Sequence, residues 1–195
     1  MNFLAHLYLS PPDDDIIFGN FIADSVRGRM FFSFSPRVQQ GILFHRFIDA
    51  FTDSHPAFLT SKARLSPDFG KFSGVIADIY YDHFLAAHWP EFSTEALPDF
   101  AQKHYRLIDD RHDLLPHKSK RIFPYMKSQD WLTNYADLHF LQRVFEGMSC
   151  RTTFESRMEH AVVHLQEHYA GFETDFMGFF PQMIAGASTF LTDGF

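Results

Sequence analysis

The sequence predicts an all-α fold. Along most of its 195 residues, apolar side chains recur at helical spacing, and the Asn-Gly pairs that mark tight β-hairpins are missing. Proline and cap residues fall where helices of ordinary length would start and stop. A chain of this size supports one substantial core, so residues 1–195 are read as a single helical domain. Its 25 phenylalanines predict helix seams filled by aromatic rings.

The apolar stretch from Met1 to Ser10 is stopped by Pro11-Pro12-Asp13-Asp14-Asp15 and has no basic leader. It is too short for a membrane span and wrongly flanked for a signal peptide, so a cytoplasmic location is expected. Asp13 to Asp15 supply cap and dipole-complementing charge to a helix bearing Ile16, Ile17, Phe21 and Ile22, which Gly28 should end. Asn20 and Asp24 share one face of it. Ser35-Pro36 opens the next helix, carrying Val38, Ile42, Phe44, Phe47, Ile48 and Phe51, and Pro56 bounds it. A short helix follows over 57–65. Ser66-Pro67-Asp68 should separate it from a long helix between Phe69 and Trp89, halted by Pro90. Further helices are expected over 93–111, 129–136 and 138–149. The Pro- and cation-rich 114–128 segment reads as an irregular connection, and 152–190 as helical with interruptions at Gly171, Gly178 and Pro181.

Two acid and histidine clusters sit inside these apolar helices. His45, Asp49 and Asp53 are spaced four apart, as are Asp78 and Asp82, and His83 lies about 100° further round. Buried carboxylates need a cation or hydrogen bonds. Alone, the His45 and Asp49 pair suits a histidine bonded within its own helix. The second ladder turns the reading toward a divalent metal held between facing helices, with nitrogen and oxygen donors that suit Mn²⁺, Fe²⁺ or Mg²⁺. His6, on the apolar N-terminal face, reads on its own as a core histidine.

Other chemistries find less support. A net charge of −7 argues against nucleic acid as partner, and the single Cys150 excludes an internal disulfide or a thiolate zinc cluster. Phosphate-binding glycine loops and a Gly-x-Ser-x-Gly elbow are missing. The adjacent His112-Asp113 pair lies in a charged stretch and reads as solvated. The ladder of His160, His164 and His168 lacks a carboxylate-rich partner and is expected to be mostly exposed.

Several segments carry a resemblance when taken in order: Met1-Asn2-Phe3-Leu4-Ala5-His6-Leu7, Gly19-Asn20-Phe21-Ile22-Ala23-Asp24, His45-Arg46-Phe47-Ile48-Asp49, Phe51-Thr52-Asp53 and Asp82-His83-Phe84-Leu85 with His88-Trp89. Gln129-Asp130-Trp131-Leu132, Phe145-Glu146-Gly147-Met148-Ser149 and Phe179-Phe180-Pro181-Gln182-Met183 continue it. Together they resemble the bacterial acyl carrier protein phosphodiesterases over nearly the whole chain. The resemblance implies an HD-domain-like, metal-dependent enzyme, typically using Mn²⁺, that removes 4′-phosphopantetheine from a serine of holo-acyl carrier protein. Its motifs contain His6, Asp24, His45, Asp49, Asp53, Asp82 and His83, whereas Asp78 enters from spacing alone. An ordinary HD site has an adjacent His-Asp dyad; here the motifs offer His45-x-x-x-Asp49 and a reversed Asp82-His83.

On this footing Asp24, His45, Asp49 and Asp82 are expected to hold the metal. His83 or His6 would protonate the leaving serine, and Asp53 or Asp78 would orient an imidazole. The carrier is acidic, so local cations should meet it: Arg27, Arg29, Arg37, Arg46, Lys62 and Arg64 are the candidates, with Lys118, Lys120 and Arg121 read as an ordinary solvated patch. The rival readings are a hydrolase of another small phosphodiester or nucleotide, and a non-catalytic module that binds carrier protein. No membrane partner is expected.

Overall fold

The computed structural model describes residues 1–193; Gly194 and Phe195, the end of the expected 1–195 domain, lie outside the described residues. Among the described residues there are twelve α-helices and no strand, as the periodicity predicts. They are α1 (Phe3–Leu9), α2 (Asp14–Ile22), α3 (Pro36–Ser54), α4 (Pro56–Phe69), α5 (Ser73–Ala87), α6 (Trp89–Phe92), α7 (Leu97–Asp109), α8 (His117–Ser128), α9 (Trp131–Asn134), α10 (Leu138–Ser149), α11 (Ala161–Glu167) and α12 (Tyr169–Asp193). Short 3₁₀ turns, among them Ala23–Ser25 and Gly28–Ser33 after α2, join several of them. No helix among the described residues is long and apolar enough to cross a membrane.

The caps read from sequence operate at α2 and α3. The Asp13 carboxylate accepts from the Asp15 and Ile16 amides, and the Ser35 hydroxyl accepts from Val38 N with Pro36 in the first turn. Between these helices the backbones touch. A Cβ on Gly19 would lie 2.1 Å from Val38 O, and one on Gly41 would lie 2.2 Å from Ile16 O, so only glycine permits this approach. It brings Asn20 on α2 beside His45 on α3. The core is aromatic as expected, with Phe18, Phe44, Phe58, Phe84, Phe172 and Phe176 fully buried. At the α3–α12 seam, Phe47 stacks on Phe190 with centroids 4.4 Å apart.

Several boundaries differ from the sequence reading. The helix expected to run to Gly28 stops at Ile22, where the chain tightens into the 3₁₀ turn Ala23–Ser25 and then becomes extended at Val26. The stretch expected to be helical from 152 becomes so only at Met158. Pro67 does not break α4, which runs on to Phe69; the stop is Gly70, at φ 50°. The expected 93–111 helix begins only at Leu97 as α7, because Ser93 and Ala96 are extended, and the separate short helix α6 lies before it over Trp89–Phe92. The 114–128 segment is not an irregular connection but forms α8, because Ser119, Phe123 and Met126 recur at helical spacing and are buried despite Pro124 within the helix. Gly171, Gly178 and Pro181 interrupt nothing, since α12 continues through all of them, carried by buried Phe172, Phe176, Phe179, Phe180 and Met183. The break falls before α12, at His168.

Candidate metal centre

Asn20 organises the site. Buried in α2, it donates from Nδ2 to His6 O at 2.8 Å and to Ser10 Oγ at 2.9 Å, which fixes the direction of its amide. Its Oδ1 then faces His6 Nδ1 at 2.9 Å and His45 Nδ1 at 3.0 Å. An amide oxygen only accepts, so both rings donate from Nδ1 and turn Nε2 the other way. There Asp49 waits, with Oδ1 3.2 Å from His6 Nε2 and Oδ2 3.1 Å from His45 Nε2. Asp24, on the 3₁₀ turn after α2, approaches His45 Nε2 to 3.5 Å with its carboxylate largely exposed.

This donor set fits a cation. In neutral rings both Nε2 lone pairs point at carboxylate oxygens, an arrangement that repels unless a positive charge lies between them. His6, His45 and Asp49 are the group of His, Cys, Asp and Glu side chains among the described residues whose ligand atoms converge within 4.8 Å. Beside them is a cavity of about 20 Å³ lined by His6, Asn20, Asp24 and His45, the size of a single water or ion. Two imidazoles and a carboxylate suit first-row divalent metals.

The titration of these groups follows from the same contacts. Burial and the neighbouring His45 push His6 down to about 4. Burial alone would lower His45 as well, but the carboxylates of Asp24 and Asp49 outweigh it and lift the ring to about 9. Burial works against ionised Asp49, and the hydrogen bonds from His45 and His6 more than reverse that, holding its carboxyl well below the usual range. Without a metal, the site therefore keeps one imidazolium against its carboxylates.

The other expected site residues are not brought to this group. Asp82 lies wholly buried beneath the start of α1, accepting from Leu4 N at 2.7 Å, Asn2 N at 3.2 Å and Ala5 N at 3.3 Å. It anchors the helix that carries His6. His83 points away from Asp82, bonded to Tyr135 O at 2.8 Å and Tyr169 Oη at 3.1 Å. Asp78 contacts the Met1 amino group at 2.8 Å, and that nitrogen stands 3.9 Å from Asp49 Oδ1. Asp53 is exposed, with Lys62 Nζ 4.0 Å away. The reading that faced an α3 ladder with an α5 ladder thus meets a different partner, the His6 and Asn20 side chains of α1 and α2. Asn20, not counted among the site residues from sequence, had one signal: a polar residue on the face of Asp24 inside an apolar helix.

The proposed docking cations separate by pairing. Arg37 is bound to Asp13 at 2.6 Å, Arg64 to Asp175 at 2.7 Å, and Arg46 lies over the Phe31 ring. Arg27 and Arg29 are exposed. Lys118, on α8, acts on Asp24 electrostatically, and Ser119 Oγ donates to Ser25 Oγ at 2.7 Å, so the first turn of α8 stands beside the site rather than on a remote loop. Of the two histidine groups set aside in the sequence, His112 and Asp113 are exposed at 4.0 Å from one another. The ladder of His160, His164 and His168 is divided by the break before α12, and His164 is buried rather than exposed, against the Phe69 ring and 3.7 Å from Asp68.

The comparisons with known proteins agree with one another. The family model for acyl carrier protein phosphodiesterase matches residues 1–183. The acyl carrier protein phosphodiesterase of Yersinia pestis is 34% identical over 188 residues, which cover 96% of this chain and 97% of that protein. Its counterpart from Escherichia coli O157:H7 is 35% identical over 193 residues, covering 96% and 98%. No solved structure matches. With this match running through α1, α2 and α3, where His6, Asn20, Asp24, His45 and Asp49 converge, the chain belongs to the acyl carrier protein phosphodiesterase family.

Proposed function

We propose that the protein hydrolyses the phosphodiester between 4′-phosphopantetheine and the carrier serine, returning holo-acyl carrier protein to its apo form. The observation that carries this reading is the convergence of His6, His45 and Asp49 under Asn20, in a chain of this family. His6 Nε2, His45 Nε2 and Asp49 would hold one divalent cation, Mn²⁺ in preference to Mg²⁺ or Fe²⁺, with Asp24 at its open side. Such an ion supplies charge stabilisation to the phosphate and lowers the pKa of water in the site.

The remaining work falls to the chain. Asn20 locks both imidazoles with Nδ1 protonated, which leaves Nε2 free to ligate. Asp24, at the cavity edge, is placed to accept a proton from an attacking water or to orient it. Asp82 and Asp78 support the centre from α5, one by holding the amides at the start of α1 and the other through its contact at Met1. The acidic carrier would meet the exposed cations flanking Asp24: Arg27 and Arg29 on the chain leaving it, and Lys118 and Arg121 on α8.

Mixing the purified protein with Mn²⁺ and holo carrier should release one phosphopantetheine, read as a mass loss of the carrier. Chelation and Asp49→Ala should each abolish this release, with helicity retained. A carrier mass that stays constant in the presence of Mn²⁺ would leave only a binding role.

A further inference from the structure

A second cavity, of about 340 Å³, opens beside the metal centre and shares Asn2, Phe3 and Asp24 with its surroundings. It runs between α5, α8, α9 and α10, and its volume falls in the ~300–1,000 Å³ range of small-molecule sites. The walls are of two kinds. Val75, Ile79, Val144 and Met148 give an apolar side, while Gln129, Arg143 and Arg151 bring amide and guanidinium donors. Arg143 rests over the Phe140 ring, and neither arginine makes an ion pair with any described residue. Tyr135 also lines the space; its ring is buried at 2% exposure, while its hydroxyl makes no hydrogen bond with any described residue and is open to the cavity. A hydroxyl so placed on a cavity wall is free to bond a ligand that enters it.

We infer that this cavity receives the pantetheine arm, with the phosphate end at the metal centre and the thiol end toward Val144 and Met148. The inference rests on the phosphodiesterase reading for its substrate, and on the cavity alone for its geometry. The arm's chemistry matches the walls. Leaving the phosphate, it carries a gem-dimethyl carbon, a hydroxyl, two amides and short methylene links, so it needs apolar contact along one side and scattered donors and acceptors along the other. The Tyr135 hydroxyl and the Gln129 amide suit the arm's amides. Arg143 and Arg151, too far from neutralising partners to pair, favour a carbonyl-rich and phosphate-bearing ligand over a purely apolar one. The cavity also joins an outer opening of about 840 Å³, which shares Lys118, Gln129, Trp131 and Arg151 with it and adds Arg121, so an arm inside would leave its carrier on the cationic face of α8.

The test uses free pantetheine, which has neither phosphate nor protein, titrated calorimetrically against the Mn²⁺-loaded chain. Saturable binding is expected for the native protein, at least ten-fold weaker in Val144→Trp, which fills the cavity, and several-fold weaker in Tyr135→Phe, which removes only the hydroxyl. In parallel, the ratio of turnover on holo carrier to turnover on the arm-free diester bis(p-nitrophenyl) phosphate should fall at least ten-fold in Val144→Trp. Should Val144→Trp fail to fold, as judged by circular dichroism, Tyr135→Phe carries the test. Equal pantetheine binding and an unchanged ratio in the variants would overturn the cavity assignment and leave the hydrolytic reading standing. Pantetheine binding that the variants abolish, without any hydrolysis of holo carrier, would do the reverse. No saturable pantetheine binding by the native chain also overturns the assignment.

Discussion

The imidazole rings of His6 and His45 stack with centroids 3.9 Å apart and planes inclined by 18°. Two imidazoliums at that separation would repel strongly in a buried setting, and the pair accordingly divides, with His6 pushed down and His45 pushed up. The stack persists because both rings are clamped at each end, by Asn20 Oδ1 on their Nδ1 atoms and by Asp49 on their Nε2 atoms.

The clamp gives the first prediction. Asn20→Ala leaves both Nδ1–H groups without their acceptor and frees each ring to rotate. Losing the hydrogen bond behind a ligating imidazole weakens metal affinity by about 10–100-fold. A calorimetric titration with Mn²⁺ should show that loss while the far-ultraviolet circular dichroism stays native. Unchanged affinity would mean that Asn20 does not organise the rings.

Asp82 separates a ligand from a scaffold. Its two oxygens accept from three amides at the start of α1, and an asparagine could replace only one of those oxygens. Asp82→Asn should therefore lower stability by about 1–3 kcal/mol, read as a reduced Tm, with Mn²⁺ stoichiometry unchanged. Loss of bound metal at an unaltered Tm would return Asp82 to the ligand set.

These two residues also mark where sequence reading reaches and where it stops. The i, i+4 pairing of His45 and Asp49 was legible because one helix, framed by Ser35-Pro36 and Pro56, fixes it locally. The partner of that pair was not, since nothing local states that α1 and α2 insert between α3 and α5. Asp82 looked like a ligand because a buried acid is expected to face a cation, yet three backbone amides satisfy it equally well. For α8, proline and lysine content concealed a helix that is settled by burial of Phe123 and Met126, and with it the nearness of Lys118 to Asp24 was hidden.

A pH-dependent contribution to stability is expected at His88, outside the candidate metal centre. Its Nδ1 meets Glu91 at 2.8 Å and its Nε2 meets Glu173 at 2.7 Å, tying the end of α5 to α6 and α12. Burial would lower this histidine, but the two carboxylates outweigh it and raise the ring above its ordinary value of 6.5. Because the folded value is the higher, the stabilisation is complete below 6.5, while the glutamates remain ionised, and is lost as pH rises through the raised value. His88→Gln should cost about 0.5–1 kcal/mol near pH 6, or roughly 1–4 °C in Tm. Melting curves of both proteins should converge as pH rises through that raised value; a gap that widens with pH would contradict the pairing.

The last prediction concerns how an acidic enzyme meets an acidic carrier. Arg37 and Arg64 are already held by Asp13 and Asp175, so reversing either breaks an internal ion pair and sets two carboxylates against each other. Lys118 and Arg121 make no ion pair among the described residues, and Lys118 acts on Asp24 at the edge of the centre. Reversal of both to Glu should raise KM for holo carrier roughly ten-fold at low salt with a smaller change in kcat, because attraction of the carrier precedes the chemistry. Arg27→Glu with Arg29→Glu should act in the same direction, and Arg37→Glu should not. Raising ionic strength to about 0.5 M should weaken kcat/KM of the native enzyme and affect the Lys118 and Arg121 reversal less, since screening removes attraction in one case and repulsion in the other. Equal salt dependence in the two proteins would remove α8 from the docking face. A fall in kcat at constant KM would place Lys118 at the phosphate itself, and the docking face would then be sought around Arg27 and Arg29.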